Sequence, residues 1–186
     1  MRCRSLQAQR RTVKRLAKKL ESVGIHYALI GGMALEAHGR TPRTENVAFL
    51  LQPAGLGEFQ QLFVPKYYLQ AAGRRRTFVD QRNRVVVRFA VSGTIPGAWP
   101  DGLVPFPDPA EVSVRIDQVN VADYACLIQI NLAARGAQAL ADAVEVVKLY
   151  RLDDSFAEQL HASLRPGFMK CLDEVRREDE FNARED

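Results

Sequence analysis

The chain has 186 residues, of which 47% are hydrophobic and 26% are charged, and its formal net charge is +4. This composition is typical of one globular domain with a real core, and no apolar run approaches the roughly 18 residues that span a membrane. The three cysteines (Cys3, Cys126 and Cys171) are far apart and odd in number. This argues against a disulfide framework or a zinc site and predicts a cytoplasmic protein.

The first predicted element is an amphipathic helix over residues 6–23, where apolar residues recur at helical spacing and Gly24 provides the end. Residues 1–20 carry eight basic residues and no acidic one, whereas the rest of the chain holds 18 basic and 22 acidic residues. The basic excess therefore belongs to this helix. It is either a solvated helix face or a surface that contacts nucleic acid or an acidic protein.

Beyond Gly24, the sequence predicts short strands that alternate with short helices. The predicted strands cover residues 25–30, 47–51, 67–70, 85–91, 112–116 and 119–121, and the predicted helices cover residues 33–38 and 56–63. Asp80 falls in a predicted loop before the strand over residues 85–91. Residues 92–109 are rich in glycine and proline and predict an irregular surface loop.

After Asp123, a plausible N-cap residue, the whole pattern is helical. The predicted helices cover residues 124–134, 137–151, 154–162 and 166–180. The element order predicts an α+β or α/β fold with a mixed β-sheet, flanking helices and a helical C-terminal third. We expect residues 1–122 to form the α/β core, including the basic helix, and residues 123–186 to pack on it as part of one compact unit.

Two adjacent glycines, Gly31 and Gly32, separate a predicted strand from a predicted helix. Such a turn lets a ligand approach the backbone closely, and the first turn of a helix offers N–H groups to a phosphate. The alternative is a tight strand-to-helix connection without a ligand. For His38, at the end of the same helix, we expect a structural role in which the backbone satisfies the side chain.

The stretch YALIGGMALEAHGRTPRTENVAFLL (residues 27–51) resembles the nucleotidyltransferase superfamily, in particular its small bacterial, toxin-type members. Those proteins have a Gly-Gly, then a His-Gly, then an Arg-x-Thr-x-Asp-x-Asp layout. The resemblance continues at VVVRFAVSGTIPG (Val85–Gly97), VPFPDPAEV (Val104–Val112) and LIQINLAARGAQALADAVEVV (Leu127–Val147). It implies a nucleotidyltransferase fold, a nucleotide ligand and, in active members, two divalent metal ions that stabilise the phosphoryl transfer.

The acids that would hold those metal ions are missing at the matching positions. An Asp-x-Asp strand aims both carboxylates at one face because side chains alternate along a strand. Here the two positions fall on Asn46 and Ala48, and the third acid position falls on Arg88. An arginine stays protonated and would repel Mg²⁺, which prefers carboxylate oxygens.

Other positions match the family in part. Thr44 and Glu45 fit its pattern, but the arginine two residues before the threonine is Pro42 here, with Arg43 beside it. Of the family's later basic and acidic residues, which would fall on Asn131, Gln138, Ala139 and Asp142, only Asp142 is retained. Glu45, Asp80 and Asp142 are the acids that could replace the missing ligands.

We therefore predict a catalytically inactive protein of this fold that binds a nucleotide or another anion, or acts as a regulatory module, without a metal cofactor. The candidate ligand-binding residues are Gly31, Gly32, Arg40, Arg43, Thr44 and Arg88. The alternative is an active enzyme that uses displaced acids and Mg²⁺ to transfer a nucleotide to a protein, an RNA or a small molecule. A third hypothesis is that the basic helix docks on nucleic acid or an acidic protein.

Overall fold

The computed structural model describes residues 6–41, 44–97 and 104–185. The chain divides into two compact units, residues 1–94 with 106–123 and residues 95–105 with 124–186. The first unit contains three helices and the whole sheet: α1 (Leu6–Ser22), β1 (Tyr27–Ile30), α2 (Gly32–Ala37), β2 (Asn46–Leu51), α3 (Pro53–Phe63), β3 (Tyr68–Gln70), β4 (Thr77–Asp80), β5 (Val86–Val91), β6 (Ser113–Ile116) and β7 (Val119–Ala122).

The seven strands form one mixed sheet in the order β3-β4-β5-β2-β1-β7-β6. The pairs β2–β5 and β1–β7 are parallel, and the other four are antiparallel. The second unit contains α4 (Tyr124–Ala134), α5 (Ala137–Tyr150), two short 3₁₀ helices (Asp154–Gln159 and Ala162–Leu164) and α6 (Arg165–Glu185). The prediction of a mixed sheet with flanking helices and a helical C-terminal part is confirmed.

One face of the sheet, which we call the back face, packs against α1 and α3. Val47, Phe49 and Phe89 point to this face and are at most 4% exposed. Phe59 of α3 packs on the β4–β5 part of this face, with its ring centroid 4.6 Å from that of Phe89 and 5.1 Å from that of Phe78. The amphipathic pattern of α1 is explained by the same packing, because Leu16 and Leu20 are fully buried.

Two local predictions were wrong. Asp80 does not lie in a loop but ends β4, where it is only 3% exposed. This strand has four residues and carries a charge at its end, so it lacks the length and the apolar alternation that signal a strand. The segment predicted as a helix over residues 154–162 forms two short 3₁₀ helices instead.

Candidate functional site

The side chains of Asn46 and Ala48 share one face of β2, which we call the front face. Both are half-buried. Val47, which lies between them, and Phe49, which follows Ala48, are fully buried on the back face. This burial alternates with the period of two that a strand requires. The two positions at which the family resemblance places metal-binding carboxylates therefore point the same way.

Arg88 lies beside Ala48 on the neighbouring parallel strand. The register of β2 and β5 pairs Ala48 with Arg88 and Asn46 with Val86. Because Val87 and Phe89 are buried on the back face, Arg88 points to the front face, where it is exposed. Adjacent strands are about 4.8 Å apart, so the stem of Arg88 starts within one strand spacing of the Ala48 methyl group. Within the described residues, no carboxylate pairs with the Arg88 guanidinium.

The glycine pair borders the same positions. Gly31 has a φ of 67°, which favours glycine, and a Cβ built on it would lie 3.8 Å from the Ala48 Cβ. A Cβ on Gly32 would lie 2.5 Å from the Thr44 Cγ2 and 2.9 Å from its Cβ. The Thr44 hydroxyl donates a hydrogen bond to the Asn46 carbonyl oxygen and accepts one from the Asn46 backbone N–H, both at 3.3 Å. The strand-to-helix turn, Thr44 and the start of β2 thus form one packed corner.

Replacing Gly32 by alanine is expected to lower the free energy of unfolding by about 1–3 kcal/mol, because the new methyl group overlaps Thr44. The matched control is Gly57→Ala in α3, where a Cβ would meet nothing within 4 Å. There alanine is expected to stabilise the protein by about 0.5–1 kcal/mol through its higher helix propensity. Urea denaturation of both variants measures the two changes, and equal effects would contradict the packed corner.

Two other predicted residues are close in sequence to this corner. Arg40 is half-buried, and its backbone N–H donates to the Leu35 carbonyl oxygen at 2.9 Å. Arg43 and its neighbour Pro42 lie outside the described residues. His38 places its Nε2 2.8 Å from the Ala122 carbonyl oxygen, which confirms the structural role expected for it.

Asp80, one of the acids that could replace the missing ligands, points to the back face. Its β4 strand pairs Thr77 with Arg88, and Asp80 is three residues further along, so its side chain is on the opposite side of the sheet. Its Oδ2 accepts hydrogen bonds from the Thr12 hydroxyl at 3.0 Å and from Arg15 Nη2 at 2.5 Å, both on α1. Thr12 is a polar residue in the buried stripe of α1, and this is the one sequence signal that could have indicated the arrangement.

The other two acids have different surroundings. Glu45 lies in a bend directly before β2 and is exposed. Asp142 belongs to α5 of the second unit, where its Oδ1 accepts a hydrogen bond from Gln138 Nε2 at 2.8 Å. Among the described residues, no three His, Cys, Asp or Glu side chains are grouped closely enough to hold a metal ion.

Comparisons with known proteins define the class of fold. No family model and no curated protein matches the sequence. Among solved structures, the chain is similar to an antigenic nucleotidyltransferase-like protein from Paracoccidioides brasiliensis, with 16% identity, a TM-score of 0.52 and 78% of each chain covered. It is also similar to ANT(2")-Ia in complex with adenylyl-2"-tobramycin, with 12% identity, a TM-score of 0.51, and coverage of 89% of this chain and 98% of that one.

At these identities the likeness is one of fold. The chain therefore has a nucleotidyltransferase-like fold, as the resemblance over residues 27–51 predicted. None of the helices in the described part of the chain combines the length and apolar character needed to cross a membrane.

The fold family implies Mg²⁺, and the residues on the front face do not fit it. Mg²⁺ takes octahedral oxygen ligands, mainly carboxylates, phosphates and water. Here the three side chains on this face offer one amide oxygen from Asn46, a methyl group from Ala48 and a guanidinium from Arg88. The donor set suits an anion rather than a cation.

Proposed function

We propose that this protein is a catalytically inactive member of the nucleotidyltransferase fold class that binds a nucleotide, or another phosphate-bearing ligand, without a metal ion. The observation that carries the proposal is the register pair of Ala48 and Arg88 on the front face. It puts an exposed, fixed positive charge where the family resemblance expects acids that hold Mg²⁺.

The chemistry of arginine supports an anion at this position. Its guanidinium stays charged at all physiological pH values and offers a planar set of N–H donors that matches phosphate oxygens. In a metal-dependent enzyme, divalent ions neutralise the phosphate charges. In this chain Arg88 supplies a positive charge directly, and no carboxylate of the described residues competes for it.

The surroundings of Arg88 also favour a ligand over an internal role. Asn46 adds an amide that can donate to a phosphate oxygen, and Ala48 puts only a methyl group at the position paired with Arg88. Arg40, Arg43 and Thr44 remain candidate contributors on the segment that leads into β2. In its solved complex, ANT(2")-Ia holds an adenylyl-modified ligand, which makes a nucleotide the first class of ligand to test.

Calorimetric titration of ATP, CTP, GTP and UTP in EDTA tests the proposal. We expect at least one nucleotide to bind wild-type protein, and Arg88→Ala to weaken that binding about 10- to 100-fold, because a charge-assisted hydrogen bond contributes about 1.5–3 kcal/mol. Arg88→Lys should recover only part of the affinity. Arg75→Ala, which removes an exposed arginine from the turn between β3 and β4, is the matched control and should bind as wild type.

A label-transfer assay distinguishes an inactive protein from an active enzyme. Incubation with labelled nucleotides and cell extract should give no label transfer to protein, RNA or small molecules. Transfer that is abolished by Glu45→Gln would contradict the proposal and establish an active enzyme that uses a displaced acid. The cytoplasmic location and the likeness to toxin-type proteins stay predictions from the sequence.

A further inference from the structure

A second basic surface lies in the first unit, on the side of the sheet opposite Arg88. A cleft of about 500 Å³ opens between α1 and the ends of β3 and β4. Its lining includes five basic side chains: Arg15, Lys18, Lys19, Lys66 and Arg82. We call it the basic cleft. It is independent of the front face, because α1 covers the back face.

The charge of the basic cleft is only partly compensated within the protein. Its one acidic lining residue is Asp80, which is 3% exposed and already bound by Arg15. Lys18, Lys66 and Arg82 are exposed and form no ion pair with any described residue. The cleft therefore concentrates about four uncompensated positive charges in a volume that suits a drug-sized ligand.

Aromatic side chains stand among these cations. Tyr67 is half-buried in the cleft, and two lysines already contact its ring: Lys19 Nζ lies 3.3 Å and Lys66 Nζ 5.3 Å from the ring centroid. Tyr68 is buried behind it, and burial together with the neighbouring Asp80 raises the pKa of its phenol, so this residue stays neutral. Cations beside a partly exposed aromatic ring are a combination with which proteins bind single-stranded nucleic acid.

The positive surface continues beyond the cleft, which favours a polymer over a small ion. Arg11 lies one helical turn before Arg15 on α1 and is exposed. The turn after β4 is tied to α1 by Asn83, whose Nδ2 donates to the Ala8 carbonyl oxygen at 3.0 Å, and it presents Arg82 and Arg84 to solvent. From Arg11 to Lys19 the basic track is about 12 Å long.

We propose that the basic cleft and the track along α1 bind the phosphodiester backbone of single-stranded nucleic acid. Lys18, Lys66 and Arg82 contact phosphates, and the part of the Tyr67 ring that Lys19 leaves exposed contacts an unpaired base. In a duplex the base faces are stacked on neighbouring base pairs and none is offered to Tyr67, so a duplex should bind more weakly. An acidic protein would satisfy the cations but would not need the partly exposed ring of Tyr67.

Fluorescence anisotropy with labelled 12-nucleotide single strands of RNA and DNA, and with a duplex of the same length, tests this proposal. For the three phosphate contacts of Lys18, Lys66 and Arg82, log K should fall with log salt with a slope of about −2. Lys18→Gln/Lys66→Gln removes two contacts and should reduce the slope by about 1.4 and the affinity at 0.1 M salt by about 25-fold. Both side chains are exposed, so the variant should unfold at the wild-type temperature.

The matched control is Lys170→Gln/Arg177→Gln on α6, which makes the same change in net charge at two exposed positions. It should bind single strands as wild type does. The proposal is overturned if wild-type protein binds neither single strand at low salt, if the duplex binds as tightly, or if the control variant loses as much affinity as the cleft variant.

Discussion

Asp80→Asn is expected to lower the free energy of unfolding by about 3 kcal/mol. Asp80 is 3% exposed and accepts hydrogen bonds from Thr12, from Arg15 and, through Oδ1 at 2.9 Å, from the backbone nitrogen of Arg82. Removing its charge leaves the guanidinium of Arg15, whose side chain is 26% exposed, without its partner. Breaking a buried ion pair from one side costs about 3–5 kcal/mol, and the exposure of Arg15 puts this pair at the lower end.

Urea denaturation measures the effect, with Glu111→Gln as the matched control. Glu111 is exposed, so the same loss of one negative charge should change the free energy of unfolding by less than about 0.5 kcal/mol. The comparison separates two roles for Asp80. A displaced metal ligand would tolerate asparagine without loss of stability, whereas the partner of Arg15 would not. Equal stability of the two variants would therefore reopen an active role for Asp80.

The second large effect is expected from restoring the missing acids with Asn46→Asp/Ala48→Asp/Arg88→Asp. The register places positions 48 and 88 side by side and position 46 on the same face. Three carboxylates about 5–7 Å apart repel one another, so the variant should lose roughly 1–3 kcal/mol of stability in EDTA. Mg²⁺ or Mn²⁺ should restore at least about 1.4 kcal/mol once its concentration is tenfold above the dissociation constant.

Thermal unfolding with and without the metal ion measures this change. The wild-type protein is the control, and its melting temperature should not respond to Mg²⁺ at the same concentration. A wild-type response as large as that of the variant would mean that the present side chains already hold the ion. An unresponsive variant would mean that the front face does not have the geometry that the register implies.

Much of the fold could be predicted from the sequence, because the elements that carry it have strong local patterns. Leu16 and Leu20 form a stripe in α1 because they are buried against the sheet. The β-branched run of β5 belongs to a strand within that sheet, where Val87 and Val91 are buried. The turn between β6 and β7 was also predicted, and Asp117 and Gln118 adopt the positive φ angles of 46° and 66° that suit a two-residue hairpin. β4 was missed because four residues that end in a charge have no such pattern.

The candidate site could be predicted only in part. The positions of Asn46, Ala48 and Arg88 came from the family resemblance, and the strand period explains why the first two share a face. That Arg88 is paired with Ala48 depends on the pairing of β2 with β5 across 40 residues, which no local pattern specifies. The basic cleft is a similar case, since Lys66 and Arg82 reach α1 only through the order of the strands.

The central claim is that the front face binds phosphate through Arg88 and without a metal ion. Calorimetric titration of the tightest nucleotide into wild-type protein, once in EDTA and once in millimolar Mg²⁺, tests it most directly. Binding should be no tighter in Mg²⁺ than in EDTA, because the ion neutralises phosphate charge that Arg88 would otherwise bind. Binding that requires Mg²⁺, or that is about tenfold tighter in its presence, would contradict the account.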